Sequence, residues 1–213
     1  MRRAETECFS ALALRAPIPL TYGLPAMNGP EFLEQETPTH GLRGILVLGS
    51  ATSVHDAPPW QAVLQRWLLA QAEAGVPTLA ICYGHQLVAH ALGGKVRFRK
   101  EDHEKRVGLH RVKFAQTKLF DGPPTEGDLF FSHREIVESV PSTLKTIATG
   151  TEAGIEATEH SQWPLWTVQA HPEATPDFAG RHGAATLANA LAFGGSLIDA
   201  FFGKTSQKGS STF

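Results

Sequence analysis

The chain is short of one-sign charge, of cysteine and of long apolar runs, and each shortage excludes a class of protein. Lys and Arg number 19 against 21 Asp and Glu, a formal net charge of −2, and no long one-sign block could follow a phosphate backbone. Nucleic acid is not an expected partner. Aliphatic runs such as Ile45–Leu48 stop far short of the roughly 20 apolar residues that a membrane helix requires, so no membrane partner is expected either. Met1-Arg2-Arg3 is followed by Glu5 and Glu7, and Arg15 interrupts the weak apolar stretch from Phe9 to Leu14, so no export signal is read. Two cysteines, Cys8 and Cys82, stand in different contexts; they make no disulfide framework and fit a reducing cytoplasm. The ten histidines include no His-Glu-x-x-His, and His85 and His90 are five apart, off a shared helix face. No metal is expected. A Walker-type phosphate loop is also absent, so no ATP-consuming half and no cofactor are expected in this chain.

What is present describes one packed domain. The 213 residues are 42% apolar and 19% charged, with 20 Gly and 14 Pro, an ordinary globular composition. We expect a single domain over residues 1–203 and a disordered tail over 204–213, where Ser, Thr, Lys and Gly dominate. From Gly44 onward, strand-like runs alternate with helical ones, the pattern of βαβ units on a parallel sheet. Trp60, Val63, Leu64, Trp67, Leu68 and Gln71 recur at helical spacing and predict a helix with one buried face. Pro58 and Pro59 suit its first turn, Asp56 its cap and Gly75 its end. A strand over Val76 to Ile81 follows. Beyond Gly93-Gly94, Val107–Phe114, Leu144–Thr149, Gly154–Glu159 and Leu165–Gln169 predict further strands. Arg97–Arg106, with five basic and three acidic residues around His103, reads as a solvated loop. Pro176–Phe202 reads as a closing helix or helix pair broken near Gly194-Gly195.

The chemistry concentrates in two segments. Leu79-Ala80-Ile81-Cys82-Tyr83-Gly84-His85-Gln86-Leu87 puts a cysteine where a buried strand runs into a helix. Such a turn presents its side chain at the carboxyl end of the sheet, and the helix amides beyond it favour the thiolate and can bind a developing oxyanion. A buried structural cysteine is the alternative. The second segment is Leu165-Trp166-Thr167-Val168-Gln169-Ala170-His171-Pro172-Glu173. In extended backbone the side chains of His171 and Glu173 leave on the same side. They would serve as base and orienter for the Cys82 nucleophile.

These residues resemble the signatures of the class I glutamine amidotransferases, Gly-x-Cys-x-Gly-x-Gln followed downstream by His-Pro-Glu, as found in the glutaminase domain of GMP synthase. The match runs from about Gly44 to about Glu173. The resemblance implies an α/β fold: a three-layer α/β/α sandwich with a mixed, mostly parallel central sheet, flavodoxin-like, with the site at its carboxyl edge. It implies Cys82 as nucleophile on the side-chain amide of glutamine, a γ-glutamyl thioester, and His171 and Glu173 as its partners. By the same resemblance Gly49 and Ser50 lie in an oxyanion loop, where the Ser50 amide joins that of Tyr83 and Gly49 would bind the substrate. Gln86 would bond the substrate's α-substituents, and the backbone around Ser132, Arg134 and Glu135 would hold its amino and carboxylate ends. His133 is either part of that element or a structural histidine.

The chain also departs from the family pattern. Ala80, Ser50 and Ala51 replace a usual Gly, Gly and Pro; Ala170 replaces an aromatic; Arg134-Glu135 replaces Gly-Asp. The family opens on a hydrophobic strand near residue 5, for which this sequence offers only Phe9–Leu14. Three functions stay open: a glutaminase that hands ammonia to a separate synthase, an independent γ-glutamyl hydrolase, and a non-catalytic binding or regulatory module on the same fold.

Overall fold

The computed structural model describes residues 3–29, 33, 41–123, 125–150 and 154–206. It opens on α1 (Arg3–Arg15) and the short α2 (Pro25–Asn28). β1 (Ile45–Val47), α3 (Pro59–Glu73), β2 (Thr78–Ile81) and α4 (Tyr83–Ala91) follow. The strands β3 (Lys95–Phe98), β4 (Arg106–Phe114), β5 (Thr125–His133), β6 (Glu135–Ser139), β7 (Leu144–Thr149), β8 (Ile155–His160) and β9 (Leu165–Val168) come next. α5 (Pro176–Arg181) and α6 (Ala192–Ser206) close the described chain.

All described strands belong to one sheet, in which β1, β2, β9, β8, β7, β4 and β5 lie side by side and β6 joins β8 to β3. The α/β sandwich is as expected, but the parallel share is small. Only β1–β2 and β2–β9 pair in parallel; the other described pairings are antiparallel. The connections after β3 are mostly too short for the crossover of a dozen or more residues that parallel pairing needs. Arg97–Arg106 is likewise less of a loop than expected, because β3 takes its first two residues and β4 its last.

Alternation on the central strands creates the two helix-covered faces. Leu79 and Ile81 of β2 pack with Leu12 of α1 and with Leu197, Ile198 and Phe201 of α6. Ala80 between them faces Leu68 and Ala72 of α3 and Val88 of α4. Each fully buried leucine or phenylalanine contributes roughly 1.5–3 kcal/mol, so this sandwich holds the edge from which β2 and β9 deliver the site.

Four local expectations are corrected. The buried face of α3 is Gln61, Leu64, Leu68 and Ala72, one residue round from the predicted stripe, with Trp60, Val63 and Trp67 half-buried beside it. Gln61 is drawn in because its amide donates to Val54 O at 2.8 Å and accepts from the Tyr83 hydroxyl at 2.8 Å. Asp56 does not cap α3; with Ser53 it closes a capping box on the single 3-10 turn Val54–Asp56. The N-terminal segment is a helix where a strand would stand, tied down by Arg15 to Asp199 at 2.7 Å and Arg181 to Glu7 at 2.7 Å. Gly194 and Gly195 lie inside α6 rather than breaking it. A Cβ on Gly194 would come 2.7 Å from Pro172 O, so the missing side chain lets α6 press against the His-Pro-Glu turn.

α6 also runs on through Ser206, past the expected end near Phe202. Thr205 is buried, its carbonyl accepts from Arg43 at 3.3 Å, and Lys204 pairs with Asp121. Residues 207–213 of the expected tail lie outside the described residues. No helix among the described residues is long and apolar enough to cross a membrane.

Candidate active site

Cys82 is the one residue between β2 and α4, and its backbone is strained. Its φ of 52° and ψ of −99° lie where an L-residue costs on the order of 1–3 kcal/mol and persists only if its surroundings enforce it. They do. The Cys82 amide donates to Val168 O on β9 at 2.8 Å, and its carbonyl accepts from the Gln86 amide at 3.1 Å. A Cβ on Gly84 would meet Val47 O at 2.9 Å, so glycine there lets α4 start close against β1. The sulfur is thereby held at the N-terminus of α4, where the helix amides favour a negative charge.

His171 arrives from β9 and is pinned by its amide, which donates to Phe130 O at 2.7 Å. Its Nδ1 lies 2.9 Å from Glu173 Oε1, and both side chains are buried. The expected extended backbone between them is absent. β9 ends at Val168, and residues 171–174 form a turn closed by Ala174 N–H to His171 O at 3.1 Å. Pro172, at the bend, cannot donate to a ladder. The turn rather than strand alternation brings carboxylate and imidazole together.

Burial alone would lower the His171 pKa, but the nearby Cys82 sulfur and the bonded Glu173 carboxylate outweigh it and raise it to about 10. The Phe178 ring packs 5.2 Å from the imidazole, centroid to centroid. On the opposite side the loop after β1 comes in at Gly49. A Cβ there would lie 2.9 Å from His171 Cε1, too close for both to stay, and 3.5 Å from Cys82 Cβ, an ordinary contact, so glycine leaves the imidazole its position. Cys82, His171 and Glu173 thus lie in one buried cluster.

The remaining predicted residues gather round this cluster in different roles. Gln86 does not point free into a pocket: its amide donates to Glu135 O at 3.0 Å and to Gln169 Oε1 at 3.2 Å. Gln169 in turn donates to Cys82 Sγ at 3.7 Å. The Glu135 carboxylate accepts from Ser53 Oγ at 2.6 Å, tying β6 to the loop after β1. Ser132 is buried, and its hydroxyl has no partner among the described residues. His133 bonds Glu135 O through Nδ1 at 2.8 Å while its buried Nε2 is likewise without one, and burial pushes its pKa down to about 3. Buried polar atoms are ordinarily hydrogen-bonded, so these two stand open to a ligand or a water. Ser50 is exposed, with its hydroxyl accepting from Thr52 N–H at 3.1 Å, Tyr83 is buried, and Arg134 is exposed.

Sequence reasoning missed Gln169, which stands two residues before His171, and Gln61, a polar residue on an apolar helix face that fixes the Tyr83 ring. It also passed over Cys8, buried on α1 within electrostatic reach of Glu173. Burial first, and that carboxylate second, push the Cys8 thiol pKa up. Both cysteines are free. His85 is buried against Thr167 Oγ1 at 2.6 Å and Ile155 O at 2.9 Å, and among the described residues no group of three His, Cys, Asp or Glu is arranged to hold a metal.

Likeness to known proteins agrees with this geometry. Residues 28–192 match the class-I glutamine amidotransferase family. The chain is 33% identical over 136 residues to the glutamine-hydrolyzing GMP synthase of Wolinella succinogenes, covering 62% of this chain and 25% of that enzyme. It is 35% identical over 98 residues to a glutamine-hydrolyzing GMP synthase subunit of Methanococcus vannielii, covering 46% of this chain and 51% of that protein. The chain therefore spans from a quarter to half the length of these relatives. Among solved structures, a glutamine amidotransferase from Methylobacillus flagellatus superposes with a TM-score of 0.71 at 18% identity, over 93% of this chain and 88% of that one. Another, from Thermotoga maritima, gives 0.62 at 16% identity over 76% and 78%. Fold, ordered motifs and the matched span agree: the chain belongs to the class-I glutamine amidotransferase family.

Proposed function

We propose that this chain is a glutaminase-type hydrolase with Cys82, His171 and Glu173 as its catalytic residues. The observation that carries the reading is the strained Cys82 elbow, which lies against Gly49 together with an imidazole whose Nδ1 is bonded to Glu173 at 2.9 Å. Attack of the Cys82 thiolate on the side-chain amide carbon of glutamine forms a C–S bond and a tetrahedral oxyanion. Backbone amides at Tyr83 and Ser50 stabilise that charge. Collapse breaks the C–N bond as protonated His171 gives its Nε2 proton to the departing nitrogen, releasing ammonia and leaving a γ-glutamyl thioester. Water then attacks, His171 takes its proton, the C–S bond breaks, glutamate is released and the thiolate is regenerated. Glu173 keeps Nδ1 protonated throughout and compensates the imidazolium charge.

We further infer that the ammonia goes to a separate synthase. The GMP synthase subunit of Methanococcus vannielii and the quarter of the Wolinella succinogenes enzyme matched by this chain support a glutaminase that works beside a synthetase. Two free cysteines favour a cytoplasmic setting. Acid-quenched mass spectrometry during turnover tests the mechanism. The expected result is a γ-glutamyl adduct on Cys82 that accumulates in Glu173→Gln; glutamine turnover with no adduct on any time scale, and none in the variant, contradicts it.

A further inference from the structure

Two cations, Lys105 and Arg134, lie within electrostatic reach of each other and of Cys82, and among the described residues neither is paired with a carboxylate. β4 and β5 pair antiparallel with Arg106 opposite His133 and Val107 opposite Ser132, so Lys105 and Arg134 are the next residues beyond the paired ends. The Arg134 carbonyl accepts from the Arg99 amide at 2.8 Å, which ties the end of β3 to the residue between β5 and β6. Lys105 is half-buried and Arg134 exposed.

The nearby carboxylates are committed elsewhere. Glu135 bonds Ser53, Glu173 bonds His171, Glu156 takes Arg106 at 2.6 Å, and Glu104 pairs with Lys100 and Arg99. The Lys105 ammonium instead meets an imidazole nitrogen, Nδ1 of His182 at 3.4 Å. His182 packs on Phe178, which packs on His171, so the ammonium is linked through two rings to the imidazole of the site. Burial first, and then the Arg134 guanidinium, lower the Lys105 pKa, while the Cys82 sulfur raises it; the three groups therefore feel one another. Two like charges held together beside a nucleophile raise each other's energy unless an anion joins them.

We propose that Lys105 and Arg134 are a carboxylate receptor of the site, so that its substrates are γ-glutamyl compounds with a free carboxylate within reach of Cys82. The assignment rests on the glutaminase reading for its substrates, but the charge pair itself does not depend on turnover. The carboxylate has two possible sources: the α-carboxylate of the glutamyl unit, or that of an amino acid leaving from a γ-glutamyl dipeptide.

Alkylation of Cys82 tests the pair without any hydrolysis. The thiolate displaces iodide from neutral iodoacetamide or from anionic iodoacetate, and the two rates are followed at the Cys82 peptide by mass. In the native chain the iodoacetate-to-iodoacetamide ratio is expected to be high and to fall with added salt. Lys105→Met and Arg134→Met should each lower it about five- to tenfold, with melting temperatures close to native. An unchanged ratio in both variants overturns the receptor, whether or not the chain hydrolyses glutamine. Conversely, variants that lose the ratio in a chain without glutaminase activity keep the receptor and refute the glutaminase.

Kinetics in an active preparation then identify the source. A KM raised for glutamine but not for its α-amide assigns the pair to the α-carboxylate. A KM raised for γ-glutamylglycine but not for γ-glutamylmethylamide assigns it to the leaving group. Equal effects on all four substrates contradict carboxylate recognition.

Discussion

Glu173 Oε1 lies 2.9 Å from His171 Nδ1, across a turn of only four residues, and the second oxygen of the same carboxylate is buried without a partner among the described residues. The carboxylate is thus devoted to one imidazole. Glu173→Ala should cut kcat roughly 10²–10⁴-fold without abolishing turnover, because His171 loses its orienter but keeps its nitrogen. Since Glu173 is also one of the two groups that raise the His171 pKa to about 10, the alkaline limb of the kcat profile should move to lower pH. A loss as complete as that of Cys82→Ala, in a folded protein, contradicts this role.

The backbone at Cys82 makes a separate prediction about stability. Glycine relieves a positive φ at little steric cost, whereas alanine inherits the strain. Cys82→Gly should therefore unfold at higher urea than Cys82→Ala, by about 1 kcal/mol, with both inactive. The reverse order means that the elbow is unstrained.

Gly49 should tolerate no side chain. A methyl group 2.9 Å from His171 Cε1 must displace the imidazole or the loop, and a misplacement of about 1 Å can cost about 10²-fold in rate. Gly49→Ala is expected to lose activity on that scale while its melting temperature falls only modestly. Full activity in this variant shows that the loop after β1 can move aside.

Stability should peak near neutral pH. His85 and His133 have pKa values lowered to about 4 and about 3, chiefly by burial. Between those values and about 6.5 the unfolded chain binds more protons than the folded one. Their contribution is therefore present above 6.5 and lost as the pH falls, by up to about 1.4 kcal/mol per pH unit for each group. His171 has the opposite sign: raised to about 10, it contributes fully below 6.5 and loses its contribution as the pH rises through 10. Urea midpoints at pH 5, 6.5 and 9 read both limbs. His85→Gln should flatten the acid limb, and an unchanged acid slope assigns it to other groups.

Much of the site is legible in the sequence because its chemistry is local. A cysteine between a buried strand and a helix start, and His-Pro-Glu after another strand, need only short-range rules to be recognised. What is not legible depends on partners distant in sequence. Gly194-Gly195 looks like a helix break, but it is the contact surface for Pro172 and Arg15, about 20 and 180 residues away in the chain. The bonds from the Gln86 side-chain nitrogen to Glu135 O and Gln169 Oε1 are not legible either, because both partners come from distant parts of the chain. Phe9–Leu14 lacks the β-branched residues of a strand and folds as part of α1, where helix propensity and the Leu12 and Cys8 contacts agree. The sheet is less parallel than expected because strand patterns do not report direction, only connection lengths do. Lys105 sits in a charge-rich run that reads as solvated loop, and only the β4–β5 register sets it beside Arg134.

The most direct test of the account is glutamate release from glutamine by the purified chain, with Cys82→Ala as the blank. Cys82-dependent release, reduced but measurable in Glu173→Ala, is the predicted result. Release that persists at the native rate in Cys82→Ala contradicts the central claim.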